Sequence, residues 1–392
     1  MSTETAPPPR RFRRDIEGLR ALAVVFVLIH HASASLLPGG FIGVDMFFVV
    51  SGFVITTQLV SEVERTGTVN LPGFYARRAK RLLPAAAMVL VFTAIVSWLF
   101  ASRIQWSLIG TDIAASALYV VNWVFAARSV DYLAEDVEPS PVQHFWSLAV
   151  EEQFYVIWPL LIIGLALVSR WLVRRSEAAG EFRLPLRGTL AIGLLALVVV
   201  PSLTWGIYYT MASPERAYFV TTTRLWELGI GALVAVLAPT WDRLSQRVGA
   251  IVAWLGLLLL FVGLALITLE TPWPGAAALA PTLATALIIV GGFKAEEQGP
   301  VRVLGLSPWC GLVGCLTRCI CGTGRFSPLA SGSGAMRACC KASCLLQPPW
   351  CRPGLDITWW RSVSGIRRRC LIPLDTHFLS APTSPCWVLW LV

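Results

Sequence analysis

Apolar runs, each about as long as a bilayer is thick, alternate with short polar connectors through the first three-quarters of the chain. A hydrocarbon core about 30 Å thick is crossed by about 20 apolar residues in a helix. Runs of this kind lie at about 19–37, 41–60, 82–101, 145–168, 188–209, 219–238, 250–268 and 276–293. They predict an all-α polytopic membrane helix bundle with about eight intact spans. A further run, 113–126, is short and interrupted by polar residues.

Basic connectors orient the bundle, because Lys and Arg collect on the cytoplasmic side. With the N-terminus cytoplasmic, Arg65, Arg77, Arg78, Lys80 and Arg81 follow the second span on that side. The later clusters, Arg170 to Arg187 and Arg243 to Arg302, join them only if 113–126 does not cross. That run is therefore expected to be a re-entrant or interfacial piece of a long outer loop, 102–144.

Composition agrees: 56% of the 392 residues are hydrophobic and 14% are charged, a multi-span membrane profile. The net charge of +9 follows from the cytoplasmic loops and implies no nucleic-acid partner. Residues 1–14, MSTETAPPPRRFRR, read as a flexible cytosolic basic and Pro-rich tail. No small-residue cleavage site follows the first apolar run, so that helix is expected to be retained.

An ionisable side chain at membrane depth is costly, and its default reading is functional. Arg20 and His31 are eleven residues apart, which places them on one helical face about 16 Å apart along the axis. His30 lies roughly 80–100° away and suits packing. A histidine with a pKa near 6.5 suits a general base, although a buried imidazole bonded to a neighbouring helix is the plainer reading. Two roles fit Asp45: a carboxylate favoured by the helix N-terminus, or a group that orients His31 from the next helix. Arg78 and Arg81, at i and i+3 in FYARRAKRLLP, suit a phosphate-bearing ligand or lipid headgroups. In HFWSLAVEEQFYVIWP, residues His144, Ser147, Glu151 and Tyr155 share one face and Glu152 flanks it. Glu151 and Glu152 rarely ionise together in an apolar span unless paired, for instance with Arg224 or with Ser and Thr groups. Arg224 and Glu227, at i and i+3, read as an architectural ion pair.

Five ordered segments carry a resemblance. DIEGLRALAV with His31, GGFIGVDMFFVVSGFVIT, FYARRAKRLLPA, HFWSLAVEEQFYVIWP and RLWELGIGAL resemble the acyltransferase type 3 family of bacterial integral-membrane acyltransferases. The likeness runs from about residue 13 to about residue 308. It implies transfer of an acyl group, usually acetyl, from acyl-CoA to a hydroxyl of an extracytoplasmic saccharide or glycolipid, at the cell membrane. It also implies a bundle of roughly ten spans. On this resemblance Arg20 and His31 match the family's Arg–His motif, and Arg78 and Arg81 match its donor-binding arginine pair. His31 is then the expected base, with Glu151 or Asp45 orienting it, and His144, Glu152, Arg224 and Glu227 are further candidates. Membrane lipids are the expected surroundings. No metal is expected. A proton-coupled transporter using the same intramembrane groups, or an inert truncated product, is the alternative.

The likeness stops where the family pattern continues as PLVWxGRLSYSLYLWHWP. This chain instead reads PWCGLVGCLTRCICGTGRFSP, and all ten Cys lie between Cys310 and Cys386. RCICGTGR, from Arg318 to Arg325, is encodable by codons that read one base earlier permit Ser-Leu-Tyr-Leu-Trp-His-Trp-Pro. A membrane acyltransferase domain is therefore expected over 15–306, truncated, with an out-of-frame tail over 307–392. A disulfide or zinc tail fits poorly, since no His lies near Cys319 and Cys321.

Overall fold

The computed structural model describes residues 13–129, 139–179, 185–295 and 298–304. The expected tails over 1–12 and from 305 onward lie outside the described residues. Every regular element among the described residues is helical, and the chain is a multi-pass membrane helix bundle.

Three helices open the chain: α1 (Arg14–Ala32), α2 (Gly43–Thr66) and α3 (Leu71–Phe100). Local chemistry sets their ends. Gly67, at φ 80°, closes α2 in the left-handed conformation that glycine adopts without penalty. Asn70 opens α3 by accepting a hydrogen bond from the Gly73 amide at 3.0 Å. Two short helices follow, α4 (Arg103–Ala117) and α5 (Val121–Arg128), then α6 (Phe145–Ala179) and α7 (Leu186–Ala212). Next come α8 (Leu225–Val236), α9 (Gln246–Leu266) and α10 (Leu279–Gly291).

Five helical segments are long and apolar enough to cross a bilayer: Pro38–Thr66, Leu71–Phe100, Phe145–Arg175, Leu186–Ala212 and Gln246–Leu266. They match five of the expected spans. The expected first span is α1, whose 19 residues carry Arg14, Asp15, Glu17 and Arg20 in the first two turns. The expected spans at 219–238 and 276–293 are shorter than the apolar runs suggest. Their helices hold 12 and 13 residues, about 18–20 Å at 1.5 Å per residue. The first is cut short by a 3₁₀ turn at Thr221–Thr223, which precedes Arg224 at the helix N-cap.

The run 113–126 is not one helix. The chain breaks at Leu118–Val120, where Tyr119 has φ 55°, and α5 turns back beside α4. An ion pair from Arg128 to Asp112 at 2.7 Å ties the two together. The run thus divides between two short helices.

At the centre, α2 lies against α8. Their backbones meet at Gly52, where a Cβ would collide with the Leu228 carbonyl, and at Gly231, where one would collide with that of Val49. Small residues allow this closeness between membrane helices. Ten of the twelve residues of α8 are buried, so it is the core of the bundle. By contrast α3 is mostly exposed, with Val91, Trp98, Leu99 and Phe100 outermost.

Candidate functional site

Histidines gather where α1 ends and α6 begins. The Nδ1 of His31 lies 2.8 Å from the Val27 carbonyl in its own helix. A carbonyl only accepts, so Nδ1 carries the proton and Nε2 keeps a free lone pair. His31 is exposed, so Nε2 can be reached. His30 is spoken for: its Nδ1 meets the Leu37 carbonyl at 3.0 Å and its ring stands edge-on to Phe41. His144 is half-buried just before α6, and its Nε2 has no partner among the described residues. Burial first, and the neighbouring charge of His31 second, push the His144 pKa down to about 4.

The predicted stripe on α6 forms. Glu151 Oε1 accepts from the Ser51 hydroxyl of α2 and from the Tyr155 hydroxyl one turn on. The guanidinium of Arg78, from α3, lies over the Tyr155 ring at 3.1 Å and within charge reach of Glu152. Below it, Trp158 donates to Thr56 at 2.7 Å, a second tie between α6 and α2. Arg78 and Arg81 lie one turn apart on α3. Arg78 turns toward the carboxylates of α6, whereas Arg81 is exposed. Arg20 lies 3.6 Å from Glu17 near the start of α1, eleven residues before His31.

Asp45, in the first turn of α2, meets a partner that the sequence did not name. Its carboxylate is 2.8 Å from Arg224, which also meets Glu227 at 3.1 Å, and these side chains are 0–1% exposed. No hydrogen bond joins Asp45 to His31 among the described residues. Nor does Arg224 pair with Glu151 or Glu152. Helical periodicity placed Asp45 near the start of α2 but could not name a partner 179 residues away. The expected Arg224–Glu227 pair does form.

Sequence reasoning also missed a polar hub. Gln153 donates to the Tyr119 carbonyl at 2.8 Å and to Asn122 at 2.9 Å, and it accepts from Trp123 and Thr221. The only signal was polar residues scattered in apolar helices. Among the described residues no group of three His, Cys, Asp or Glu side chains is placed to hold a metal ion.

Residues 13–310 match the model of a family described as an acyltransferase domain, Acyl_transf_3. The chain belongs to that family. It is 38% identical to the peptidoglycan O-acetyltransferase OatA of Listeria monocytogenes over 239 residues, 61% of this chain and 36% of the relative. It is 36% identical to the O-acetyltransferase OatA of Staphylococcus aureus over 234 residues, 58% of this chain and 35% of the relative. The matched part thus spans about a third of the length of these curated relatives. No solved structure matches the chain.

In a member of this acyltransferase family the arrangement has clear chemical capacity. A free imidazole nitrogen at one end can take a proton. From there, a stripe of polar side chains on one face of α6 leads down to a guanidinium about 16 Å along the axis, the rise between His144 and Tyr155.

Proposed function

We propose that this chain transfers an acetyl group from acetyl-CoA to a hydroxyl of an extracytoplasmic saccharide or glycolipid. The observation that carries the reading is the exposed His31, its Nδ1 held by the Val27 carbonyl so that Nε2 is the basic nitrogen. His31 Nε2 takes the proton of the acceptor hydroxyl as its oxygen attacks the thioester carbonyl. The carbon–sulfur bond then breaks, and the thiolate leaving group recovers a proton from the imidazolium. A hydroxyl is a weak nucleophile without such a base, which is worth about 10²–10⁴-fold in rate. Glu151 positions Ser51 and Tyr155 on the path between donor and base. Arg81, with Arg78, Arg77 and Lys80, forms the basic surface for the donor's phosphates, and Arg20 adds to that charge. The names of the relatives support acetyl as the group and a cell-wall saccharide as the acceptor.

We infer further that the acyltransferase domain occupies 15–306 and that the tail beyond 307 is out of frame. The nucleotide sequence across codons 300–326 tests this directly, and an uninterrupted frame there refutes it. Activity is tested in reconstituted vesicles with radiolabelled acetyl-CoA. A frame-restored chain is expected to transfer acetyl to an added saccharide, and the chain as it stands is expected to do so weakly or not at all. Replacing His31 with alanine in the active form should lower the rate by about 10²–10⁴-fold. Unchanged transfer would remove His31 from the chemistry.

A further inference from the structure

Three buried side-chain atoms beside α6 have no hydrogen-bond partner among the described residues: Arg78 Nε, Glu152 Oε1 and the Tyr119 hydroxyl. They come from three elements, α3, α6 and the break between α4 and α5. Glu152 lies within charge reach of both of the others. Native structures leave few buried polar atoms unpaired, and each one asks for an explanation. Two beside one unpaired carboxylate oxygen mark a place where polar partners are missing.

Tyr119 gives an independent sign. Its φ of 55° puts a bulky residue in the left-handed region, a conformation that persists where surroundings enforce it and that clusters at ligand sites. The enforcement is visible. The Tyr119 carbonyl accepts from Gln153 at 2.8 Å, and Gln153 is itself fixed by Asn122 at 2.9 Å. The turn between α4 and α5 is thereby pinned beside Gln153, the residue after Glu152.

The atoms define the ligand. The guanidinium N–H donates, the carboxylate accepts, and the phenol does either. All three are sealed from solvent, so the occupant is slim, whereas a saccharide ring is bulky. A secondary amide fits, its N–H toward Glu152 and its carbonyl toward Arg78 and Tyr119. On α3 the place is within one turn of Lys80 and Arg81. On α6 it is eight residues from His144, about 12 Å.

We propose that Tyr119, Glu152 and Arg78 form a subsite for an amide of the donor's pantetheine arm, threaded between the basic surface and His31. This rests on the acyl-CoA reading above. The test measures binding of three probes to the full chain in lipid nanodiscs: coenzyme A, pantetheine, and adenosine 3′,5′-bisphosphate. Tyr119→Phe and Glu152→Gln should each weaken coenzyme A and pantetheine roughly tenfold, the effect of one buried hydrogen bond. Both should leave the bisphosphate unchanged. Arg81→Ala should do the converse, weakening coenzyme A and the bisphosphate while sparing pantetheine. Tyr119→Phe keeps the ring and the backbone, so it reports on the hydroxyl alone. Normal binding of coenzyme A and pantetheine by both the Tyr119 and Glu152 variants overturns the subsite while leaving the donor reading intact. If those variants lose only competition by a saccharide acceptor, the place belongs to the acceptor and the proposal is wrong. If neither the chain as it stands nor its frame-restored form binds any of the three probes, the acyl-CoA reading itself fails.

Discussion

Arg224→Met and Asp45→Asn alter the same buried cluster and should have unequal consequences. Arg224 is the shared partner of two carboxyl groups, Asp45 at 2.8 Å and Glu227 at 3.1 Å, in a place with 0–1% exposure. It also donates to the Tyr218 carbonyl at 3.3 Å. Methionine keeps the apolar stem but leaves both carboxyl groups without a cation. Removing one partner of a buried pair costs about 3–5 kcal/mol, and the double role of Arg224 places its loss toward the upper end. Asp45→Asn is milder for a physical reason. One guanidinium can neutralise only one carboxylate, and Glu227 remains to do so. The asparagine oxygen can still accept from Arg224, so the cost is about 1 kcal/mol, that of one weakened hydrogen bond. Thermal unfolding in mild detergent measures both variants, with acetyl transfer measured on the frame-restored forms. If Asp45→Asn is as damaging to stability as Arg224→Met, the charge argument is wrong. If it stays folded and loses transfer by 100-fold or more (about 2.7 kcal/mol of barrier), Asp45 belongs to the chemistry after all.

Two further outcomes follow from named contacts. His144, pushed down to about 4 by burial and then by His31, stays neutral in the folded chain while the unfolded chain takes up a proton near pH 6.5. Its contribution is therefore fully present above about pH 6.5 and is lost as the pH falls toward 4, by up to roughly 3 kcal/mol. In His31→Ala the His144 titration should move upward, which histidine NMR would detect; no movement would mean that the two rings do not interact. Gly52→Val drives a side chain into the Leu228 backbone and should destabilise by at least about 1–3 kcal/mol, as overpacking does. Gly110→Ala, where a Cβ meets nothing within 4 Å, is the control and should be neutral or slightly stabilising. Equal melting of the two would mean that α2 and α8 do not touch as described.

Much of the site could be read along single helices. The stripe His144–Ser147–Glu151–Tyr155 is a consequence of 3.6 residues per turn, and Glu151 and Tyr155 do meet. The same spacing put Arg224 and Glu227 in contact. It also separated His31 from His30, and the structure gives those two rings different partners. For Arg78 and Arg81 the spacing fixed only the shared stretch of helix. One turn of helix keeps their Cα atoms close, but the neighbours that Arg78 meets, the Tyr155 ring and Glu152, come from another helix.

The sequence by itself determined the class of protein, the family and most of the span positions. Each of these is local: apolar run length, motif order and helical period are properties of adjacent residues. Tertiary structure alone decided who meets whom. Asp45 found Arg224, Ser51 found Glu151 across 100 residues, and Tyr119 found Gln153 through a break inside an apolar run. Helix period fixes which face a side chain occupies, but not which helix stands opposite. In a membrane that choice rests on small residues that let backbones approach and on polar groups that must find one another. Both are settled by the packed bundle as a whole.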